Sequence, residues 1–210
     1  MLELAALSIT PRGGLPLFAP LTLAIPPGEV CTLMGPSGIG KSTLLDAIGG
    51  HLSPDFTLTG DIRLNGQSLL PLPAESRRVG LMFQEALLFP HLSVGDNLAF
   101  GLDPAVKPRA ARRAAIEAAL ADAGLAGFYS RDPATLSGGQ RARAALMRAL
   151  LAKPRALLLD EPFSRLDASL RADIRRFTFD HARAEAIPTL LVTHDASDAM
   201  ATGGPVHHLA

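Results

Sequence analysis

The chain has 210 residues and 48% hydrophobic content, which favours one compact domain with a sizeable core. Its 20 basic and 20 acidic residues balance, so the charge gives no support for electrostatic nucleic-acid binding, and its apolar runs are broken by Arg, Lys or Pro well short of a membrane span. A single cysteine, Cys31, excludes an internal disulfide and points to a reducing compartment, and the opening "MLELAALSIT" carries acid rather than base, which argues against a signal peptide.

Three β-like runs come first, "LELAALSI", "LTLAI" and "EVCTLMG", separated by Pro and Gly. After "GIGKS" the pattern turns helical through "TLLDAIGG" and stops at Gly49 and Gly50. Strand-like "DIRLNG" and "RVGLMFQ" follow. From about Ser93 to Lys153 the reading is almost all helix, clearest in "RAARRAAIEAALADAG", which ends at Gly124. "ALLLDEP" is a continuous apolar run, as expected of a strand covered on both faces. A helical "SLRADIRRFTFDHARAE", a second buried strand "TLLVTHD" and a last strand "PVHHLA" complete the order. The layout is an α/β core interrupted by a helical insert.

"GPSGIGKST", Gly35 to Thr43, matches the phosphate-loop pattern in the context it needs, after a strand and opening a helix. Gly35, Gly38 and Gly40 allow the bend that turns backbone N–H groups of this loop, which also holds Pro36, Ser37 and Ile39, toward phosphate oxygens. Lys41 is expected on the β- and γ-phosphates, and Ser42 on Mg²⁺. The bland alternative is a Gly-rich turn with an exposed lysine; the flanking strand and helix argue against it.

A triphosphate also needs a second metal anchor and a group to orient water. Asp160 and Glu161 end a buried strand in "LLLDEP", with Asp160 expected to hold Mg²⁺ through its water shell and Glu161 to polarise the attacking water. Such an acid pair often only caps a following helix, and it gains meaning here from the phosphate loop. His194 closes "LLVTH"; parallel strands end on one sheet edge, so it is expected near Glu161 and the γ-phosphate. Gln84, taken as the end of "RVGLMFQ", is expected in the Mg²⁺ and water shell. The remaining histidines read as surface. "LSGGQRARAALMRAL", Leu136 to Leu150, opens a second helix with a serine and two glycines but no lysine, and Ala142, Ala145, Leu146, Ala149 and Leu150 form its apolar stripe.

The ordered set "GPSGIGKS", Gln84, "LSGGQ", "LLLDE", "SRLD" and His194 resembles the ATPase subunit of ATP-binding-cassette (ABC) transporters over essentially the whole chain. The stretch "GLMFQEALLFPHLSVGDNLAFGL" and the free-standing, short form are more similar to bacterial importers. The resemblance implies an α/β fold: a P-loop NTPase core with a mixed sheet, a small antiparallel β subdomain, and a helical insert carrying "LSGGQ". It implies one domain over 1–210, with the RecA-like core and β subdomain at about 1–85 and 154–210 and the helical subdomain at about 86–153.

It also implies ATP and Mg²⁺ as ligands, and ATP hydrolysis that powers import. Two subunits are expected head to tail with C2 symmetry. Ser137, Gly138, Gly139 and Gln140 of one then cover the γ-phosphate held by the other, and Asp167 of "SRLD" crosses the same seam. The implied partners are a second copy, membrane permease subunits docking over Gln84 to Phe100, and a substrate-binding protein, with no nucleic acid; the implied location is the cytoplasmic face of the cell membrane. Two departures stand out. Arg12 occupies the place of the family's adenine-stacking aromatic, nearby Phe18 reading as core, and Arg165 stands in "SRLD" where a small residue is common, expected either to contact the partner or to be solvated. The alternative within the family is a regulatory ABC ATPase without a membrane partner. A DNA-repair member would need a long coiled coil between Gln84 and "LSGGQ", where only about fifty residues lie, and a ribosome-acting one would need tandem cassettes.

Overall fold

Strands β1 (Leu2–Pro11), β2 (Leu21–Ile25), β4 (Phe56–Leu64) and β5 (Gln67–Ser68) form an antiparallel sheet in the order β2-β1-β4-β5. Strands β6 (Val79–Met82), β7 (Ala156–Asp160), β8 (Thr189–Val192), β3 (Val30–Met34) and β9 (Val206–His208) form a second sheet in that order. Within it β7, β8, β3 and β9 pair in parallel. The α/β fold with a parallel and an antiparallel sheet agrees with the sequence reading. This computed structural model describes residues 1–85, 87–103, 105–164 and 166–209. Arg165, and with it the partner contact or solvated position expected of it, lies outside the described residues.

The chain divides into two compact units. The first comprises Met1–Leu81, Arg155–Glu161 and Phe179–Ala210, and the second Met82–Pro154 and Pro162–Thr178. In the first unit β3, β7 and β8 are buried along nearly their whole length, which is why they read as unbroken apolar runs rather than alternating ones. Leu2, Leu4 and Ile62 of the antiparallel sheet share one core with Leu33, Leu158 and Leu190 of the parallel sheet and with Leu44 and Ile48 of α1 (Lys41–Gly49). Cys31 lies in this core, where burial pushes its thiol up to about 12. Arg77, in the short helix α2 (Ala74–Arg77), is buried and donates to the Ala47 and Ile48 carbonyls at 2.7 and 2.9 Å, and to Leu72 O at 2.9 Å. A guanidinium thus satisfies carbonyls in the last turn of α1 that have no partner within the helix. Nothing in the local sequence signals that role.

The second unit holds α3 (Val94–Ala99), α4 (Arg109–Asp122) and α5 (Gly138–Leu151). The stretch expected to be almost all helix is therefore three helices, because proline and serine break it. Pro108 stands at the N-cap of α4, Pro133 opens a 3₁₀ turn over Pro133–Thr135, and Ser93 and Ser137 cap α3 and α5. Val94, Leu98, Ile116, Leu120, Leu136 and Met147 pack together in its core. On α5, Ala142, Ala145 and Leu146 are buried as the stripe requires, Ala144 and Met147 join them, and Ala149 and Leu150 are only partly covered. Residues 162–178, placed with the core on sequence grounds, group with this unit. The reason is contact: Leu170, in α6 (Ala168–Ala184), lies against Gly139 so closely that no Cβ fits there.

Candidate nucleotide site

β3 ends at Met34 and α1 begins at Lys41, leaving the phosphate-loop residues between them. Gly40 forms the N-cap with φ +101°, a left-handed backbone, and a Cβ there would meet the Leu17 side chain at 2.7 Å. No side chain caps α1, so its first N–H groups are not spent on one. Lys41 is only 7% exposed, and its ammonium donates to Gly35 O at 2.7 Å and Pro36 O at 2.9 Å. The charge is therefore held inside the arc of the loop instead of ranging over solvent. The exposed-lysine alternative does not fit this burial.

β7, β8 and β3 run in parallel with β8 in the middle, so their C-terminal ends share one edge. That edge carries the loop after β3, Asp160 at the end of β7 with Glu161 after it, and Thr193 and His194 after β8. Burial raises the Asp160 carboxyl above the usual carboxylate range. A hydrogen bond from Ser42 opposes that shift, the charges of Glu161 and Asp46 add to it, and Lys41 opposes it. Ser42 and Asp160 thus place two oxygen ligands near each other in a setting that favours an added positive charge.

Glu161 has φ +45°, rare for a residue with a side chain, while its N–H donates to Val192 O at 2.9 Å. The left-handed turn takes its carboxylate off the strand line, and Oε1 lies 2.8 Å from His194 Nδ1. An ionised carboxylate only accepts, so in that state Nδ1 is the donor. The Glu161 side chain is 18% exposed and that of His194 58%. The structure therefore brings together Lys41, Ser42, Asp160, Glu161 and His194 on one unit.

Gln84, taken from the sequence as a strand end, lies two residues past it. β6 stops at Met82, and Gln84 belongs to the second unit, where its amide donates to Ser164 Oγ at 3.1 Å. In that unit Ser137 and Gln140 form a reciprocal capping box. The serine oxygen accepts from Gln140 N–H at 3.3 Å, and the Gln140 side chain accepts from Ser137 N–H at 3.0 Å. The box leaves the serine hydroxyl proton unspent. Gly138 is exposed at the helix start, whereas Gly139 is buried. Asp167 accepts from Leu170 N–H at 3.0 Å and so caps α6.

Phe18 is core, 3% exposed, as its sequence position implied. Arg12 is exposed, its backbone N–H donating to Asp55 O and its guanidinium to Pro54 O at 3.3 Å. Leu87, Phe89 and Phe100 are 55%, 40% and 67% exposed, and the two phenyl rings lie 4.9 Å apart. Beside them a cavity of about 460 Å³ is lined by Gln84, Leu87, Leu88, Gly138 and Arg141 among others. Buried Asn97, which sequence reading passed over, fixes this loop: its amide accepts from Phe89 N–H at 2.7 Å and donates to Phe89, Leu92 and Ser93 carbonyls. No helix among the described residues is long and apolar enough to cross a membrane.

A buried phosphate-loop lysine and an acid–histidine edge, both on a parallel sheet, define a P-loop nucleotide-hydrolase class of site. The ABC transporter family matches residues 18–164, and the chain belongs to that family, as one of its ATP-binding ATPase domains. It is 52% identical over 182 residues to the uncharacterised ABC transporter ATP-binding protein YnjD of Escherichia coli (strain K12), covering 87% of this chain and 83% of that one. It is 46% identical over 176 residues to the sulfate/thiosulfate import ATP-binding protein CysA of Mycobacterium tuberculosis (strain ATCC 25618 / H37Rv), covering 84% and 49%. It is also 46% identical over 181 residues to the spermidine/putrescine import ATP-binding protein PotA of Pseudomonas aeruginosa (strain UCBPP-PA14), covering 86% and 49%. The match spans about half the length of these two import proteins. Among solved structures, a dimeric ATP-binding cassette, MJ0796, in a post-hydrolysis state bound to ADP and Pi is similar over 100% of this chain and 94% of that one, at a TM-score of 0.83 and 29% identity.

Proposed function

We propose that this chain is the ATP-hydrolysing subunit of an importer, acting as a head-to-tail homodimer bound to permease subunits on the cytoplasmic membrane face. In this reading 1–210 is one ABC domain, its two units being the core with the β subdomain and the helical insert. The observation that carries the proposal is the common edge on which buried Lys41, the Ser42–Asp160 pair and the Glu161–His194 pair stand. The dimeric neighbour and the import-protein relatives support the two finer parts, dimer and permease.

The phosphates of ATP would lie in the loop from Gly35 to Thr43, taking N–H bonds from its backbone and the Lys41 charge. Two neighbouring oxygen ligands, Ser42 and Asp160, would fit Mg²⁺, a hard cation that is bound through oxygen. When bound, that ion neutralises charge on the transferring phosphoryl group. Glu161 orients the attacking water and takes its proton, and His194 holds Glu161 in place. Gln84's assignment to the cation and water rests on the family pattern alone. Ser137, Gly138, Gly139, Gln140 and Asp167 act on the second copy's ATP.

The test is purification from detergent-solubilised membranes. The expected result is that a polytopic permease, and with it a substrate-binding protein, is retained by the tagged chain. Retention of neither, with ATPase activity intact, would favour the regulatory reading.

A further inference from the structure

We propose that Asp198 is a positioning residue for His194, acting through Thr193. The proposal rests on the reading of Glu161 and His194 given above.

Asp198 is 1% exposed and Thr193 2%, both buried beside a histidine that is largely open to solvent. The Thr193 hydroxyl donates toward Asp198 Oδ2 at 3.4 Å, and the Thr193 hydroxyl oxygen accepts from Asp195 N–H at 3.0 Å. Thr193 N–H donates to Leu33 O on β3 at 3.2 Å. The residues before and after His194 are therefore tied to each other and to the sheet, and the hydroxyl at the centre of that tie is oriented by Asp198.

Burying a carboxylate is costly unless its oxygens are engaged, and the Thr193 hydroxyl engages one of them. Asp195, tied to the Thr193 hydroxyl, also caps α7 (Ala196–Thr202) by accepting from Ser197 N–H at 2.7 Å. A fixed backbone at 193–195 serves the site: His194 meets Glu161 from a loop, and a loop free to shift by about an ångström loses a 2.8 Å contact. Asp198 touches neither nucleotide nor water in this scheme. It acts through Thr193.

Steady-state ATPase kinetics and thermal melting of Thr193→Val, Thr193→Ser, Asp198→Ala and His194→Ala test the idea, with Thr193→Val also made in the His194→Ala chain. Thr193→Val keeps the shape and removes the hydroxyl, so it carries the test should Asp198→Ala fail to fold. The expected result is a kcat loss on the order of tenfold or more for Thr193→Val, since small misplacements near reacting groups cost that much. KM for ATP should stay within about twofold, because the phosphate loop is untouched. Thr193→Ser should restore kcat, and Thr193→Val should add no further loss once His194 is Ala. Asp198→Ala, where it folds, should lose kcat as Thr193→Val does; a wild-type kcat in either variant with an impaired His194→Ala would overturn the proposal alone. An undiminished additional loss in the His194→Ala chain would also overturn it, since the effect would then not pass through the histidine. A wild-type kcat in His194→Ala would sink both the proposal and the reading beneath it.

Discussion

Glu161 and His194 lie 33 positions apart in the chain and 2.8 Å apart in the fold, each just beyond the end of one of two adjacent parallel strands. Glu161 reaches this contact only because its backbone turns left-handed at φ +45°. Strain of this kind costs about 1–3 kcal/mol and persists where the surroundings over-determine it. Here the Glu161 N–H to Val192 O bond, at 2.9 Å, and the histidine do so.

Glu161→Gln should bind ATP normally and hydrolyse it about 100-fold to 10,000-fold more slowly, the usual range for loss of a general base. Phosphate release and retained nucleotide measure the two properties separately. The ATP-bound variant should elute as a dimer in size-exclusion chromatography. Wild-type turnover would remove Glu161 from its role.

The trans arrangement of "LSGGQ" is testable by mixing two lesions in the Glu161→Gln background, Lys41→Ala in one chain and Gly138→Asp in the other. Gly138 is the better site for a charge than Gly139. A Cβ at 139 collides with Leu170 and damages the helical unit itself, whereas one at 138 meets only Leu166 at 3.9 Å. An aspartate in a first helical turn is also favourable to the helix, so loss of function there is not loss of fold. Each homodimer should fail to occlude ATP, and mixing should restore about one ATP per mixed dimer, because C2 symmetry leaves one site with neither lesion. If heterodimers form and occlusion does not return, "LSGGQ" serves its own chain.

The exposed apolar patch gives a third test. Leu87→Asp with Phe100→Asp should abolish co-purification of the permease and leave the ATPase activity of the isolated chain within about twofold, since both side chains face solvent and neither is in the nucleotide site. Loss of both properties together would show that the patch is needed for folding.

Arg77→Ala should destabilise the first unit by about 3 kcal/mol, because it leaves buried carbonyls of the phosphate-loop helix without their charged donor. Desolvation already lowers the Arg77 pKa, and the intact hydrogen bonds offset that cost. Urea unfolding at matched pH measures the difference, and a change below about 0.5 kcal/mol would place those carbonyls with solvent.

The phosphate loop, the buried acid-ending strand and the capped "LSGGQ" helix were all legible in the sequence. Each is local: glycine spacing, an unbroken apolar run and a Ser-to-Gln cap follow from neighbours along the chain. The nearness of His194 to Glu161 was legible too, since parallel strands end on one edge. Strand order, the direct 2.8 Å contact between those two residues and the burial of Arg77, Asn97 and Asp198 were not. Those depend on which segments the fold lays side by side. Composition counts a charged residue as surface until long-range packing supplies the carbonyls or hydroxyl that make its burial affordable. The left-handed turn at Glu161 belongs to the same class, since no local preference selects it and only the contacts made by the finished sheet hold it.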